Sequence, residues 1–393
     1  MQSKDYDICK PRPTTITAPP TRVLLRVGAQ LAAMRRLPFE PSPRVVDAGI
    51  LASVLVAGAT GLLSLTARPD DGWVFVIHGV VGVTLVVLLG FKFRRVWRRV
   101  AGSWTRTVAV SVLLSVLAVA ALVTGVAWTL GAESPVSGVT LLVLHGYLGA
   151  LVLPVLLVHL AARFRLPDRE TATERRQALR VGGLLVGGAA AWRLKQSVAG
   201  DLVPSRRFTG SREEDSDAGN AFPVTSWVAD DPEPVDADAW RLDVRGAVES
   251  ELSLPEATLL AADSETDTPA ATADERALLD CTSGWYSEHD WRGVRVGDLL
   301  EAAGADPDAG YVRFRSVTGY RWSLPREEAG DALLATHVDD ERLSHGHGFP
   351  CRLVAPGRRG FQWVKWVAAV EVRHDPDPAQ WVATLVSGFD GDG

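Results

Sequence analysis

Hydrophobic positions form long unbroken runs in the first half of the chain. Four runs, near 46–67, 73–93, 107–130 and 138–164, each have the roughly 20 apolar residues that a helix needs to cross about 30 Å of hydrocarbon. A fifth apolar stretch at 181–192 is shorter and rich in glycine. The pattern predicts an N-terminal all-α transmembrane helical bundle of four helices, followed by a short fifth helix.

The second half of the chain changes to short apolar runs separated by polar turns. Helical patterns near 296–303 and 326–335 do not alternate strictly with the strand-like runs. Strands outnumber helices, so the sequence predicts a mixed α+β domain. The predicted strands lie in 240–248, 277–282, 311–317, 321–325, 351–356 and 366–373.

Shifts in composition divide the chain into five segments. The first is a cytoplasmic N-terminal segment with a basic amphipathic stretch at 22–37, predicted as an interfacial helix. The transmembrane domain follows, and then a basic loop with the short fifth helix. A linker rich in Gly, Ser, Asp, Glu and Pro leads to the α+β domain. The predicted bounds are 1–44, 45–165, 166–200, 201–238 and 239–393.

The net charge of −6 hides a strong asymmetry between the halves. Residues 1–200 carry 23 basic and 10 acidic side chains, whereas residues 201–393 carry 18 basic and 37 acidic ones. The bases of the first half lie beside apolar runs, which is typical of membrane topology and not of nucleic-acid binding. Scarce lysine and the acidic second half together hint at a halophile.

Three basic connections predict the orientation in the membrane. They precede the first run, follow the second at 92–106 and follow the fourth at 163–180, whereas the other two connections carry few bases. Because cytoplasmic loops are enriched in Lys and Arg, these three are expected to face the cytoplasm. The chain is then a multi-pass protein of the cell membrane with its C-terminal domain outside the cytoplasm.

The segment before the fifth helix has two open interpretations. Arg175 and Arg176 are followed by two spacers, Leu179 and Arg180, ahead of a weakly apolar run, which is similar to a twin-arginine export signal. The simpler interpretation is a short helix with ordinary cytoplasmic arginines. Both interpretations send the α+β domain outside the cytoplasm, and an Ala-rich run at 189–191 leaves cleavage open.

Three histidines, His78, His145 and His159, lie inside the predicted membrane helices, where ionisable residues usually face the interior and have a partner. His78 and His145 lie near the outer ends of two parallel helices, at a similar depth suited to ligating one haem b. His159 either ligates a second haem or bonds a neighbouring helix. The alternative for all three is hydrogen bonding between helices. Small neighbours that would admit a flat macrocycle are Gly79, Gly82, Gly146 and Gly149.

This histidine pattern resembles cytochrome b561-like bundles and the haem-b membrane subunits that serve extracytoplasmic molybdoenzymes. The resemblance covers about 120 residues, which is roughly the length of four spanning helices and their loops. It rests on few motif positions.

Three blocks of the second half carry a more specific resemblance. They are LLDCTSGWYSEHDWRGVRVGDLLEAAG at 278–304, SVTGYRWSLPREEAGDALLATHVDDERL at 316–343 and HGHGFPCRLVAPGRRGFQWVKWVAAVEV at 345–372. In content and order they resemble the molybdopterin-binding domain of the sulfite oxidase family. The resemblance implies an α+β sulfite-oxidase-type fold with a molybdenum–molybdopterin cofactor.

Cys281 is the position at which the family presents a thiolate to molybdenum, so the resemblance implies that it is the catalytic residue and the metal ligand. By motif position, Arg352 and Lys365 are expected to bind the pterin phosphate. The other residues implied in the cofactor pocket are His347, Trp285, Gly348, Gly357 and Gly360, with Arg358 and Arg359 as weaker candidates. Cys351 is expected in the core, although a disulfide with Cys281 is an alternative.

The string CTSGWY places an aromatic residue where sulfite- and nitrate-converting relatives carry an arginine. This departure favours the branch that resembles bacterial methionine-sulfoxide reductases, whose substrates are neutral. The sequence therefore predicts a membrane-bound molybdenum–pterin oxidoreductase that exchanges electrons with quinone through haem b. Oxygen-atom transfer, such as the reduction of a small-molecule or protein sulfoxide, is the expected reaction.

Three rival functions remain open at this point. The enzyme could run in the oxidising direction, as a sulfite-type dehydrogenase that delivers electrons to quinone. The C-terminal domain could be a non-catalytic extracytoplasmic binding module on a membrane anchor without cofactor. The helical bundle alone could be active, as a cytochrome that serves another partner.

Overall fold

The structure is a computed structural model that describes residues 41–100, 105–134, 139–163, 175–202, 205–226, 230–261 and 270–386. The predicted interfacial helix at 22–37 lies outside these ranges. Five long helices come first: α1 (Pro43–Ser64), α2 (Gly72–Val100), α3 (Arg106–Thr129), α4 (Leu141–Arg163) and α5 (Arg175–Leu202).

Four segments of the described chain are long and apolar enough to cross a membrane. They are Pro43–Ser64, Pro69–Val96, Arg106–Thr129 and Leu141–Ala161. The positions of these helices agree with the four predicted runs to within a few residues. Their ends are set by caps as well as by hydropathy: Ser42 accepts a hydrogen bond from the Val45 N–H, and Thr105 accepts one from Val108.

The four helices form two hairpins. Helix α1 packs closely against α2 and α3 against α4, whereas contacts between the two hairpins are sparse. An apolar cluster at mid-depth joins the hairpins, and it includes Val54 of α1, Leu85 of α2, Ala118 of α3 and Val152 of α4. The hairpins are therefore joined mainly at this level.

Helix α5 differs from the short helix that was predicted. It is 28 residues long and is not among the described helices that are apolar enough to cross a membrane. It packs along α2, where a Cβ on Gly79 would lie 2.1 Å from Trp192 Nε1. The apolar stretch at 181–192 lies within this helix, which continues because the next residues, Arg, Leu, Lys and Gln, are good helix formers.

The rest of the chain folds into two sheets. In the first, strands run in the order β1–β5–β8–β10, with β4 paired to β5 and β9 to β8; in the second the order is β3–β2–β11–β6–β7. The strands of the first sheet are β1 (Arg212–Glu213), β4 (Thr272–Asp280), β5 (Trp285–Arg295), β8 (Leu333–Val338), β9 (Glu341–Arg342) and β10 (Arg352–Val354). Those of the second are β2 (Arg241–Gly246), β3 (Leu252–Pro255), β6 (Tyr311–Ser316), β7 (Arg321–Pro325) and β11 (Val367–Arg373).

Short helices connect these strands: α6 (Glu256–Leu260), α7 (Val296–Ala302), α8 (Arg326–Asp331) and α9 (Gln380–Val386). One large apolar core, with Trp291, Phe314 and Leu299 fully buried, joins both sheets and the helices. The predicted helix at 326–335 is wrong beyond Asp331, since β8 begins at Leu333. Residues 333–335 are all buried, and such a continuous apolar run does not distinguish a strand from a helix by period.

The predicted linker at 201–238 is largely part of the α+β domain. Strand β1 pairs in parallel with β5, with Arg212 opposite Trp285. Phe222 belongs to the main core and is 2% exposed. The composition of this segment is polar, so its two-residue strand and single core aromatic carry too little pattern to be predicted.

Candidate active site at Cys281

The buried thiol of Cys281 follows directly after the end of β4, on a tight turn. The Cys281 N–H donates to the Trp285 carbonyl at 2.9 Å, and the Gly284 N–H donates to the Cys281 carbonyl at 3.2 Å. Gly284 has a φ of +104°, a conformation that favours glycine. The Sγ atom lies 2.9 Å from Ser283 Oγ and 3.3 Å from Thr225 Oγ1. Two hydroxyls thus flank the predicted metal ligand.

Both described cysteines are free, so Cys281 and Cys351 do not form the alternative disulfide. Cys351 has no exposed surface and belongs to the apolar core. Burial raises the pKa of the Cys351 thiol far above its ordinary value, which keeps it protonated and unreactive. Its predicted place in the core agrees with the structure.

Asp280, the last residue of β4, fixes the start of the Cys281 turn. Its carboxylate accepts hydrogen bonds from Thr209 Oγ1 at 2.8 Å and from Ser211 Oγ at 2.7 Å. It also pairs with Arg207 Nε at 3.1 Å and Arg359 Nη1 at 2.9 Å. A buried carboxylate with this many donors is well satisfied and rigid. The backbone that presents Cys281 is therefore tied to the segment 207–211.

Arg352 is a buried cation close to Cys281. It is 2% exposed, and its guanidinium lies over the rings of Trp291 and Trp363, at 5.2 and 6.0 Å from the ring centroids. Its Nη1 donates to the His347 carbonyl at 3.0 Å. Burial lowers the pKa of Arg352 to about 10, and the attraction of the Cys281 thiolate opposes that shift. Arg352 therefore stays charged at neutral pH.

Arg359 is the second buried cation at the site, and it is a better candidate for cofactor binding than Arg358. Its Nη2 donates to the Cys281 carbonyl at 3.2 Å, and burial lowers its pKa while Asp280 and Cys281 raise it. Arg358 instead pairs with Glu328, which also binds Arg68 from the connection between α1 and α2. By motif position both arginines are weaker candidates for the cofactor pocket, and the structure brings only Arg359 to Cys281.

Lys365 lies in the same pocket, but its ammonium is already bonded. Its Nζ donates to Gly346 O at 2.7 Å, to Thr225 O at 2.9 Å and to Ser226 Oγ at 3.3 Å. Burial and the nearby Arg352 lower the pKa of Lys365 to about 7. Lys365 thus holds the backbone of Thr225, whose hydroxyl contacts Cys281, and it can act on a cofactor through its charge.

His347 is buried, and both of its ring nitrogens are used within the protein. Nδ1 bonds Ser344 Oγ at 2.8 Å, and Nε2 bonds the Phe222 carbonyl at 2.9 Å. Burial and the charge of Arg352 lower its pKa to about 4, so the imidazole is neutral at pH 7. The direct cofactor contact predicted for His347 is therefore not open to its ring nitrogens; its carbonyl instead orients Arg352.

The glycines of the site act where the backbone is crowded. A Cβ on Gly360 would lie 3.2 Å from the Cα of Cys281, and one on Gly348 would lie 2.9 Å from the Cβ of Arg352. Gly348 also has a φ of +108°. These two positions bring chain segments together, whereas Gly357 has no atom within 4 Å of an added Cβ among the described residues and serves a turn at φ +77°.

Several buried donors around Cys281 have no acceptor among the residues that the structure describes. Nearly all buried polar groups in folded proteins are hydrogen-bonded, so such a group of donors indicates an acceptor-rich ligand. Gln362, which is fully buried, was missed by sequence reasoning because a glutamine in a Gly-rich turn carries no signal of its own. The unpaired donors are Arg352 Nε, Arg359 Nε, Gln362 Nε2, Trp363 Nε1 and Trp285 Nε1.

The histidines of the bundle form a second feature below this site. The ring centroids of His78 and His145 are 5.8 Å apart, with an interplanar angle of 86°. His145 Nδ1 lies 2.7 Å from the Ala121 carbonyl, and His78 Nδ1 lies 2.9 Å from Thr60 Oγ1. Since the Thr60 hydroxyl donates to the Val56 carbonyl, both Nδ1 atoms act as donors. Each Nε2 then keeps a lone pair for a metal.

The glycines beside these histidines differ from those expected. Gly125 makes room for His145, because a Cβ there would lie 2.9 Å from its ring. Trp192 of α5 fills the space beside Gly79, so that glycine does not admit a macrocycle. Gly146 and Gly149 have nothing within 4 Å of an added Cβ in the described ranges, and Gly82 has only Leu122 at 4.0 Å.

His159 lies towards the other end of α4. Its Nδ1 is 3.3 Å from Ser111 Oγ of α3. This contact fits the simpler of the two interpretations, a hydrogen bond to the neighbouring helix.

The Cys281 turn rests directly on the ends of α3 and α4. Thr140 Oγ1, just before α4, donates to the Ser283 carbonyl at 2.6 Å. A Cβ on Gly284 would lie 2.7 Å from the Trp128 ring and 3.2 Å from Leu142. The turn that carries the candidate metal ligand is therefore seated at the same end of the bundle as His78 and His145.

Comparison with known proteins gives a consistent result. Residues 229–381 match the family model described as "Oxidoreductase molybdopterin binding domain". The chain is 31% identical over 165 residues to YuiH, an uncharacterized oxidoreductase of Bacillus subtilis, which covers 41% of this chain and 78% of YuiH.

Other relatives are matched over a smaller share of their length. The mitochondrial sulfite oxidase of Drosophila melanogaster is 34% identical over 110 residues, 25% of this chain and 19% of that protein. The protein-methionine-sulfoxide reductase catalytic subunit MsrP of Gluconobacter oxydans is 28% identical over 183 residues, 42% of this chain and 54% of MsrP. Among solved structures, the sulfane dehydrogenase SoxCD of Paracoccus pantotrophus aligns with a TM-score of 0.33 at 25% identity, over 37% of this chain and 41% of that one.

Proposed function

Because this chain belongs to the family of oxidoreductases with a molybdopterin-binding domain, we propose that it is a membrane-bound molybdoenzyme that draws electrons from quinol through haem b and reduces sulfoxides. The overall reaction balances: one sulfoxide, two electrons and two protons give one sulfide and one water, while one quinol releases two electrons and two protons. The proposed domain outside the cytoplasm follows from the three basic connections.

One observation carries the molybdenum part of the proposal. Five buried donors without an acceptor among the described residues, two of them on the buried Arg352 and Arg359, belong to residues around the free thiol of Cys281. The residues fit a molybdopterin, because its phosphate and pterin heteroatoms are acceptors and its metal takes a soft thiolate. When bound, the molybdenum centre supplies two-electron oxygen-atom chemistry at the metal.

The residues of this chain have separate roles in that site. Cys281 would hold the metal, Arg352 and Arg359 would bind the anionic cofactor, and Gln362 would donate to it. Lys365 would position Thr225 beside the thiol through the bond from Nζ to the Thr225 carbonyl. Because the pKa of Lys365 is lowered to about 7, a bound anion would favour its protonated form.

The haem part of the proposal is supported by the geometry of His78 and His145. Each histidine comes from a different hairpin and is oriented through Nδ1 by the helix it is paired with. Two metal–imidazole bonds of about 2.0 Å each would account for most of the 5.8 Å between the ring centroids.

The seat of the Cys281 turn on the bundle supports direct electron transfer within one chain. The Thr140–Ser283 hydrogen bond joins the helix that carries His145 to the turn that carries Cys281. His145 is five residues beyond Thr140, which is about 7.5 Å of helix rise. Electrons from a haem at this level would need no diffusing carrier to reach the molybdenum site.

Sulfoxides are the proposed substrates for two reasons. The chain is similar to a protein-methionine-sulfoxide reductase catalytic subunit, and the residues after Cys281 are Thr, Ser, Gly, Trp and Tyr, without a cation. A neutral substrate needs no arginine in this position, whereas an oxyanion would need one. Cationic charge at the site is buried around the cofactor pocket instead.

The test uses the full chain purified in detergent from cells that supply molybdenum and haem. The expected result is close to one molybdenum per chain, a b-type band in the reduced-minus-oxidised spectrum, and reoxidation of that band by dimethyl sulfoxide or methionine sulfoxide. Cys281→Ser should abolish the reoxidation while keeping the haem band. Cys351→Ala, which changes the other buried cysteine, should retain it.

Three other results would each contradict part of the proposal. Reduction of the haem by sulfite, with no reoxidation by sulfoxides, would reverse the direction of electron flow. Molybdenum without haem would remove the quinol route. Neither cofactor, in cells that load a known molybdoenzyme and a known b-type cytochrome, would favour an anchored binding module.

A further inference from the structure

Three basic side chains lie between the histidine pair and the α+β domain. Lys195 is near the C-terminal end of α5, and Arg206 and Arg212 follow that helix. Arg206 lowers the pKa of Lys195, and Arg212 lowers the pKa of Arg206, so neighbouring members of the set lie close together. This set, which we call the outer cation cluster, lies at the end of the bundle on which the Cys281 turn is seated.

The outer cation cluster is half-buried and makes no close ion pair among the described residues. Arg206 and Arg212 both donate to the carbonyl of Trp128 at the end of α3, at 2.8 and 3.1 Å. No ion pair within 4.0 Å joins Lys195, Arg206 or Arg212 to an acid among the described residues. Burying cations without such a partner costs free energy unless another anion binds.

Of the three cations, Arg206 has the most buried hydrogen-bond donors without an acceptor. Its Nε and Nη1 are buried and have no acceptor in the part of the chain that the structure describes. Burial, with the neighbouring Arg212, lowers its pKa to about 10, so the guanidinium remains charged. Arg212 is better satisfied, because it also bonds the Ala132 carbonyl and is attracted by Glu133 and Glu214. An anion is therefore needed most at Arg206.

The position of Lys195 relates the cluster to the histidine pair. Trp192, one turn earlier on α5, packs against Gly79, the residue after His78. Helix α5 is therefore fixed against the His78 segment, with Lys195 on its outer side.

We propose that Lys195 and Arg206 bind the two carboxylates of the haem that His78 and His145 ligate. This inference rests on the haem of the proposed function, and it assigns residues to the edge of the haem that carries the carboxylates. The two carboxylates of a haem held by this histidine pair would need cationic partners, and Lys195 and Arg206 lie at this end of the bundle without an ion pair among the described residues.

The test compares the wild type with a double variant that carries both Lys195→Gln and Arg206→Gln. Arg193→Gln is the control. Arg193 is exposed on the same helix and is not part of the cluster. Each chain is loaded with haem or with haem dimethyl ester, in which the carboxylates are neutral, and the rate of haem transfer to apomyoglobin is measured. Midpoint potentials are measured on the same samples.

We expect the wild type to lose the ester about tenfold faster than haem, because two charge-assisted hydrogen bonds are lost. The double variant should lose both at the same fast rate, and its midpoint potential should fall since a cation near the iron favours the reduced form. Arg193→Gln should behave as the wild type. Molybdenum content equal to that of the wild type shows that the variants have folded.

Two outcomes would overturn the assignment. If the wild type retains haem and its ester equally, the carboxylates are bound elsewhere or not at all. If the double variant keeps the preference for haem but loses stabilisation by vesicles of phosphatidylglycerol, the cluster binds a lipid phosphate. A wild-type chain without any b-type band would instead contradict the haem in the proposed function itself.

Discussion

Thr140 Oγ1 donates a hydrogen bond of 2.6 Å to the carbonyl of Ser283, two residues beyond Cys281. The bond joins the first turn of α4 to the turn that presents the candidate metal ligand. Trp128 reinforces the contact from α3, since its ring lies against Gly284 and its indole N–H donates to the Gly210 carbonyl at 3.0 Å. The long apolar helices and the turn that carries Cys281 thus share one interface.

Replacing Thr140 by Val should slow electron transfer from the bundle to the molybdenum site. Loss of one hydrogen bond of about 1 kcal/mol would lower the ratio of docked to undocked turn roughly fivefold. The measurement is the rate of haem reoxidation by sulfoxide in stopped flow. Sulfoxide reduction driven by reduced methyl viologen, which reaches the molybdenum site from solution, should be unchanged. Thr140→Ser, which keeps the donor, should match the wild type in both assays.

Arg352→Met should remove the molybdenum cofactor and yet stabilise the protein that lacks it. Arg352 is a buried cation with an unpaired Nε, so an apolar side chain of similar length relieves a desolvation cost of about 1 kcal/mol or more. Molybdenum content and the thermal midpoint of protein made without molybdenum are the two measurements. Arg358→Met is the control: it breaks the pair with Glu328 and should keep the metal. A stable Arg352→Met chain that retained molybdenum would rule out this role.

The stability of the α+β domain should depend on His347 between about pH 4 and 6.5. Burial, with the charge of Arg352, lowers its folded pKa to about 4, so the unfolded chain binds a proton in this range and the folded chain does not. Stability therefore falls as the pH drops from 6.5 to 4, by up to about 3 kcal/mol. His347→Gln should flatten this part of the pH profile in chemical unfolding. His374→Gln, at an exposed position, should leave the profile as in the wild type.

His145→Ala should eliminate the b-type band, whereas His159→Ala should retain it. Of these two histidines, His145 lies 5.8 Å from the ring of His78, whereas His159 bonds Ser111. The reduced-minus-oxidised spectrum after purification gives the result, and quinol-dependent sulfoxide reduction should follow it. A band that survived the double change His78→Ala and His145→Ala would place the haem elsewhere.

The sequence predicted those parts of the molecule that depend on one local pattern. The four membrane helices follow from continuous apolar runs, and Cys281 follows from its motif at a strand end. The strands of 311–317 and 321–325 were also predicted within a residue or two: β6 alternates between buried and more exposed positions, and β7 is a short run bounded by polar residues. These features need no knowledge of distant partners.

Features that depend on contacts between distant segments could not be predicted. The separate fates of Arg358 and Arg359 are decided by Glu328 and Asp280, which lie elsewhere in the chain. The saturated ammonium of Lys365 depends on Thr225 and Gly346. Likewise, the sequence alone suggests that Gly79 leaves space beside His78, whereas in the structure Trp192 fills that space.

The parallel pairing of β1 with β5 has a practical consequence for work on the α+β part by itself. A truncated chain that started at residue 239 would lack β1, the core aromatic Phe222 and the donors that Thr209 and Ser211 give to Asp280. Its first sheet would gain an unprotected edge, and such edges promote aggregation. Starting at residue 205 keeps all of these, and so gives a version of the α+β part suited to crystallisation.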